Sequence, residues 1–124
     1  TMLEIDLSSP VPVYDQIKAG LKGLVTKCQL RPGDEAPSIR GLAASLKVNP
    51  NTVARAYREL SIEGFLDSRR GGSSVIAERA VKVAAGGLGA ARAAFADAAR
   101  SARRAGLTWA DIADTVSTLT REEP

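Results

Sequence analysis

The residues able to do chemistry in this chain are hydrogen-bond donors, and they cluster. Asn49, Asn51, Thr52, Arg55 and Arg58 fall in one short stretch, with Ser38 and Arg40 ahead of it and Arg69, Arg70 and Gly71 behind it. Amide, hydroxyl and guanidinium groups match nucleic acid: arginine pairs bidentately with guanine and asparagine with adenine, while phosphates take arginine and open backbone N–H groups. Enzymatic chemistry has no comparable footing. The chain has no histidine, a single cysteine, no metal-ligand cluster and no phosphate-cradling loop beside a catalytic lysine, so no catalytic set, metal or cofactor is expected.

Such donors work only if a helix end presents them, and the surrounding pattern supplies one. Ser38 can cap a helix in which Ile39, Leu42, Ala43 and Leu46 recur at three- and four-residue spacing. A polar turn follows at Lys47 and Val48, after which Asn49 caps and Pro50 takes the first helical position, where a missing N–H costs nothing. Val53, Ala56, Tyr57 and Leu60 then form a buried stripe, leaving the donors on other faces. This is the outline of a helix-turn-helix. Gly64 ends the second helix, and Phe65 to Ile76 reads as two short strands around a basic, glycine-rich turn, a wing suited to a phosphate backbone or minor groove. Taken singly, Asn51 and Thr52 serve a cap equally well, Arg55 and Arg58 a solvated helix face, and the Arg69–Gly72 turn an ordinary hairpin tip. The constellation as a whole favours DNA.

The run from Pro12 to Ala77 resembles the winged helix-turn-helix domain of the GntR family of bacterial transcription regulators. The resemblance rests on P-V-Y-x-Q-I, L-x-P-G-D, P-S-x-R-x-L-A, N-P-N-T-V-x-R-A-Y-x-E-L and E-G-F-L. The form of Asn49 to Val53 and the short tail are most similar to the YtrA-like subfamily, whose effector domain is reduced to a pair of helices. The resemblance implies a dimeric repressor of a neighbouring, often transporter, operon. It implies DNA contacts at Arg40, Asn49, Asn51, Thr52 and Arg55, and in the wing around Arg70 and Gly71. Four positions depart from the family pattern: Gly41 lacks the side chain of a reciprocal capping box, Pro50 and Ala54 replace arginines of other subfamilies, and Ser73 replaces a wing glycine.

The remaining segments frame this head. Residues 1–10 form an arm or strand in which Leu3, Ile5 and Leu7 alternate with acids. A helix is expected from Val13 to Lys27 with Tyr14, Ile17, Leu21, Leu24, Val25 and Cys28 on one stripe, Cys28 being a small buried hydrophobe. Pro32-Gly33-Asp34 makes a turn. Beyond the wing Val81, Ala84, Leu88, Ala91, Phe95, Ala98, Ala102 and Ala105 follow a heptad-like seam, with a bend expected at Gly86, Gly87 and Gly89. Gly106 closes that helix. Thr108 and Asp111 form a capping box for a last helix with Trp109, Ile112, Val116 and Leu119 on one face, folding back as a hairpin with Trp109 as its packing anchor.

The fold expected is therefore mainly α with a small β-wing. A winged helix-turn-helix over residues 1–77 precedes a two-helix C-terminal dimerisation appendage over 78–124. Leu88, Phe95, Ala98, Ala102, Trp109, Ile112 and Val116 are the dimerisation residues, since a reader of symmetric operators needs a second copy. A net charge of +3 is too mild to argue for nucleic acid by itself. The lone cysteine fits a reduced cytoplasmic compartment, and no apolar run is long enough for a membrane span. The partners expected are a double-stranded DNA operator and a second copy, with a small-molecule effector left unidentified. The competing reading is a winged helix used for protein contact, favoured if Arg40, Arg55 and Arg70 lie buried in salt bridges.

Overall fold

The computed structural model describes residues 3–69 and 71–122. The chain forms α1 (Val13–Thr26), α2 (Ile39–Leu46), α3 (Pro50–Ile62), β1 (Leu66–Ser68), β2 (Ser74–Ile76), α4 (Ala80–Ala105) and α5 (Trp109–Glu122). Two compact units, Thr1–Gly87 and Leu88–Pro124, divide it, so that α4 begins in the first and ends in the second. No helix among the described residues is long and apolar enough to cross a membrane.

The core of the first unit is the sum of the helical stripes. Ile17, Leu21, Leu24 and Val25 of α1, Leu42 and Ala43 of α2, and Val53, Ala56, Tyr57 and Leu60 of α3 are buried together with Phe65, Leu66 and Ile76. Gly64 takes a φ of +85°, the left-handed turn that stops α3 and drops Phe65 into the core. β1 and β2 pair antiparallel in the register Leu66↔Ile76, Asp67↔Val75 and Ser68↔Ser74. The segment ahead of α2 adds a third edge. Glu35 bridges Val75, the Gly33 N–H donates to the Ile76 carbonyl (2.8 Å), and the Ala36 N–H donates to the Ser74 carbonyl (2.9 Å).

One expectation at the end of α1 is corrected. Cys28 is exposed, not buried: α1 ends at Thr26, Lys27 is its C-cap, and Cys28 turns the chain at a φ of +61°. A helical repeat cannot reveal where the backbone reverses, and Leu30 occupies the core beyond the turn. The described residues of the arm form no strand, and the chain turns at Leu7 and Ser8, where the Ser9 N–H donates to the Asp6 carbonyl (3.2 Å). Leu3 is buried over Gly20, where a Cβ would come within 2.5 Å of its Cδ2, Ile5 is half-buried, and Leu7 is exposed. Gln16 holds the arm, its Oε1 accepting the Asp6 N–H (2.8 Å) and its Nε2 donating to the Asp6 and Val11 carbonyls (2.9 Å each).

The seam is also corrected at its start. Ala80 and Ala84 are buried in the core of the first unit, so Ala84 does not belong to a dimer seam. Further on, α4 runs through Gly86, Gly87 and Gly89 as one unbroken helix. The glycines do not split it, since each costs only about 1 kcal/mol against alanine in a long helix.

In the second unit Gly106, at a φ of +116°, closes α4, and the Leu107 N–H donates back to the Ala102 carbonyl (3.1 Å). The capping box forms as expected: the Asp111 N–H donates to Thr108 Oγ1 (3.1 Å) and the Thr108 N–H to Asp111 Oδ2 (2.8 Å). The backbone bond from Thr108, then its hydroxyl, hold the Asp111 carboxyl below its ordinary range. The two helices enclose a small apolar groove of about 170 Å3 lined by Phe95, Ala98, Ala102, Ile112, Val116 and Leu119, among others. Trp109 is not a packing anchor. It is 58% exposed beside the Arg103 guanidinium, 5.2 Å from the ring centroid, because the first residue of α5 falls outside the groove.

Candidate nucleic-acid interface

The start of α3 is built by its cap. Asn49 Oδ1 accepts the Asn51 N–H (2.8 Å) and the Asn49 carbonyl accepts the Thr52 N–H (2.9 Å), with Pro50 at the first turn. The Asn49 side-chain oxygen is thereby occupied, while the Asn51 side chain stands exposed and Thr52 half-buried on the same turn. Arg55 follows one turn on, and Arg58 is exposed without an ion pair among the described residues. Of the donors expected at this helix end, Asn51, Arg55 and Arg58 are exposed and Thr52 is half-buried.

The start of α2 is fixed by three consecutive residues, each tied to a different element. The Ala36 N–H bonds to β2, the Pro37 carbonyl accepts the Tyr57 hydroxyl of α3 (2.6 Å), and Ser38 Oγ accepts the Gly41 N–H of α2 (3.0 Å). Ser38 supplies half of a capping box, and the reciprocal half is missing because Gly41 has no side chain. Burial pushes the Tyr57 hydroxyl up to about 12, so it remains a donor throughout the physiological range. Tyr57 counts as a core residue in the stripe pattern, and its role in positioning α2 is additional. The one available signal is that a tyrosine in an aliphatic stripe needs a partner for its hydroxyl.

Arg40, one residue into α2, is exposed and makes no ion pair among the described residues. It borders a cleft of about 550 Å3 whose other wall is the wing at Gly71, Gly72 and Ser73. At the wing tip the Arg69 N–H donates to the Ser73 carbonyl (2.8 Å), and Gly71 and Gly72 take φ values of +88° and +83°. Ser73 lies outside that left-handed stretch, so the loss of glycine there is tolerated. Arg69 and Gly71 are exposed, and Arg70 lies outside the described residues.

Arg55, unlike Arg40 and Arg58, has an ion-pair partner among the described residues. Its guanidinium carbon sits 3.8 Å from the centroid of the Tyr14 ring, and Nε donates to Glu59 Oε2 (3.2 Å). Glu59 also accepts Lys18 Nζ (3.0 Å), and Glu63 accepts Lys18 and Lys22 (2.6 Å each). This network ties α1 to α3 across a wide sequence separation that no local pattern reveals. The Lys18 hydrogen bond leads in holding the Glu59 carboxyl below its ordinary value. For Glu63, partial burial acts in the opposite direction and is outweighed by Lys18 and Lys22, leaving it lowered too. Burial likewise opposes the Lys18 charge, but Glu63 and Glu59 outweigh it and raise its pKa.

The pH dependence of stability follows. Carboxylates with lowered folded values stabilise above their unfolded value near 4.5 and lose this as pH falls through the folded value. A raised lysine stabilises below 10.5 and loses this as pH rises through its folded value. The stability difference between the native protein and Lys18→Met is therefore expected to be flat across neutral pH and to shrink at both extremes. Urea midpoints measured across the pH range check it.

The chain is 44% identical over 79 residues to the HTH-type transcriptional repressor YtrA of Bacillus subtilis (strain 168), covering 64% of this chain and 61% of that protein. It thus spans less than two thirds of that relative. Among solved structures it is similar to YtrA from Sulfolobus acidocaldarius, a GntR-family transcription factor, with 42% identity, a TM-score of 0.59, and coverage of 62% of this chain and 81% of that one. A GntR family transcriptional regulator from Listeria monocytogenes matches at 26% identity and a TM-score of 0.67 over 92% of this chain and 98% of that one. The family model "Bacterial regulatory proteins, gntR family" matches residues 13–76, from the first residue of α1 to the last of β2, and on that match the chain belongs to the gntR family.

Proposed function

We propose that the protein is a sequence-specific reader of double-stranded DNA, acting as a dimeric transcriptional repressor. The observation that carries this reading is the cleft between the start of α2 and the wing, bordered by an exposed Arg40 that makes no ion pair among the described residues. Against a winged helix for protein contact, Arg40 is exposed and makes no ion pair among the described residues, and Arg55, although paired with Glu59, keeps its side chain 54% exposed; Arg70, the third arginine of that comparison, lies outside the described residues. In this reading α3 enters the major groove, Asn51, Thr52 and Arg55 meet base edges, and Arg40 with the wing backbone grips phosphates. The relative in Bacillus subtilis is named a transcriptional repressor, which supports the direction of regulation. Control of a neighbouring operon, and of a transporter in particular, rests on the family resemblance.

A second copy would join through the second unit. No residue of α5 is buried in the single chain, although it carries an apolar face, and isolated helices of this length are marginal in water. Leu88, Phe95, Val116 and Leu119 are 40–58% exposed. An apolar surface of this kind on a helical hairpin suits a symmetric partner.

The test is binding to a fluorescent duplex from upstream of the protein's own gene, titrated at two salt concentrations against random duplex. Preferential, salt-sensitive binding is expected. Arg40→Ala is expected to weaken binding by about 1–3 kcal/mol on all duplexes and to reduce the salt slope by about one, as a phosphate contact does. Absence of DNA binding at low salt would return the protein-contact reading.

A further inference from the structure

We propose that Tyr14 and Glu59 are positioning residues that set the Arg55 guanidinium for base readout, so that the specificity of the recognition helix depends on a residue of α1. The inference rests on the DNA-reading function proposed above. Two different constraints meet on Arg55. The Tyr14 ring, with its centroid 3.8 Å from the guanidinium carbon, holds the group over its face. The Glu59 carboxylate, 3.2 Å from Nε, engages the inner edge of the group. With Nε occupied, the edge left open is the Nη1 and Nη2 pair, the fork that matches the two acceptors of guanine.

The support behind these contacts has little freedom. Glu59 is held by Lys18, whose side chain is only 16% exposed and is itself shared with Glu63. Tyr14 is half-buried and packs against the core of the first unit, and its hydroxyl makes no hydrogen bond among the described residues. What the tyrosine offers Arg55 is therefore the face of its ring. The Arg55 side chain is 54% exposed, so the outer fork is accessible. An ordinary surface pair between Arg55 and Glu59 needs no ring and contributes little. The stack restricts the arginine before it meets DNA, so the rotamer freedom usually lost on docking is already lost on folding. Glu59 also neutralises part of the Arg55 charge, which lowers its value as a phosphate contact and leaves directional readout as its distinctive contribution.

The test uses the full chain and a duplex that the native protein selects from a random library. Fluorescence anisotropy gives the ratio of affinity for that duplex to affinity for random duplex. Tyr14→Phe keeps the ring and should leave the ratio within about twofold, whereas Tyr14→Leu should lower it about three- to tenfold with binding to random duplex unchanged. In an Arg55→Ala background, Tyr14→Leu should have no further effect. An unchanged ratio in Tyr14→Leu, where Arg55→Ala lowers it, would overturn the inference while leaving the DNA-reading function intact. A loss equal on both duplexes, or one that persists in the Arg55→Ala background, would mark the ring as purely structural and also overturn it. If Arg55→Ala itself leaves the ratio unchanged, the reading of Arg55 as a base contact fails, and the inference fails with it.

Discussion

A Phe95→Asp variant is expected to sediment as a monomer and to bind a two-half-site operator about 10²–10⁴-fold more weakly than the native protein, while single half-site binding remains. The ring is 58% exposed in the single chain, so aspartate meets water in the monomer and the second unit keeps its helices. In a dimer the same position would bury a charge against apolar Val116, Leu119 or their symmetry mates, a cost that the interface cannot offset without a partner cation. Linking two weak readers makes the second binding event intramolecular, and this advantage disappears when the dimer does. Sedimentation and anisotropy on one-site and two-site duplexes separate the two effects. A variant that still sediments as a dimer would move the interface away from the α4–α5 hairpin.

Phe65→Ala is expected to destabilise the first unit by about 3–5 kcal/mol. Phe65 is fully buried at the junction of α3 and β1, where its N–H donates to the Leu60 carbonyl (2.9 Å) and its carbonyl accepts the Ala77 N–H (3.0 Å). Removing the ring opens a cavity where the recognition helix and both ends of the wing converge. Against a total of about 5–15 kcal/mol for an ordinary domain, this leaves little margin. Thermal and urea unfolding followed by far-ultraviolet circular dichroism measure the loss, and Phe65→Leu should recover much of it. A loss below about 1 kcal/mol would mean that the site collapses around the smaller side chain.

Local chemistry made the head of this protein legible. Ser38, Asn49 with Pro50, Gly64, and Thr108 with Asp111 each signal a helix end by hydrogen-bonding or backbone preference, and each sits at such an end. Apolar spacing located the core of α2 and α3 because helical geometry converts spacing directly into a face. What escaped is non-local. Glu35 pairs beside β2 although Gly33, Asp34 and Glu35 have little strand propensity, since a partner strand imposes the conformation. The union of Lys18 with Glu59 and Glu63, and the stack of Arg55 on Tyr14, depend on how α1 crosses α3. Cys28 and Ala84 depart from expectation for a related reason: both continue a periodic pattern, but one lies past a backbone reversal and the other beside a different core.

The three bonds at Ala36, Pro37 and Ser38 bear on how such a surface discriminates among sequences. They join the start of α2, the recognition helix and the wing strand at a single point, so these parts cannot adjust independently to an imperfect site. In the proposed DNA complex, a reader with so little give leaves adaptation to the duplex. Each site would then be judged partly by the elastic energy needed to bend or narrow it until phosphates and base edges reach a preset surface. Base steps that no side chain touches would still influence affinity through their stiffness.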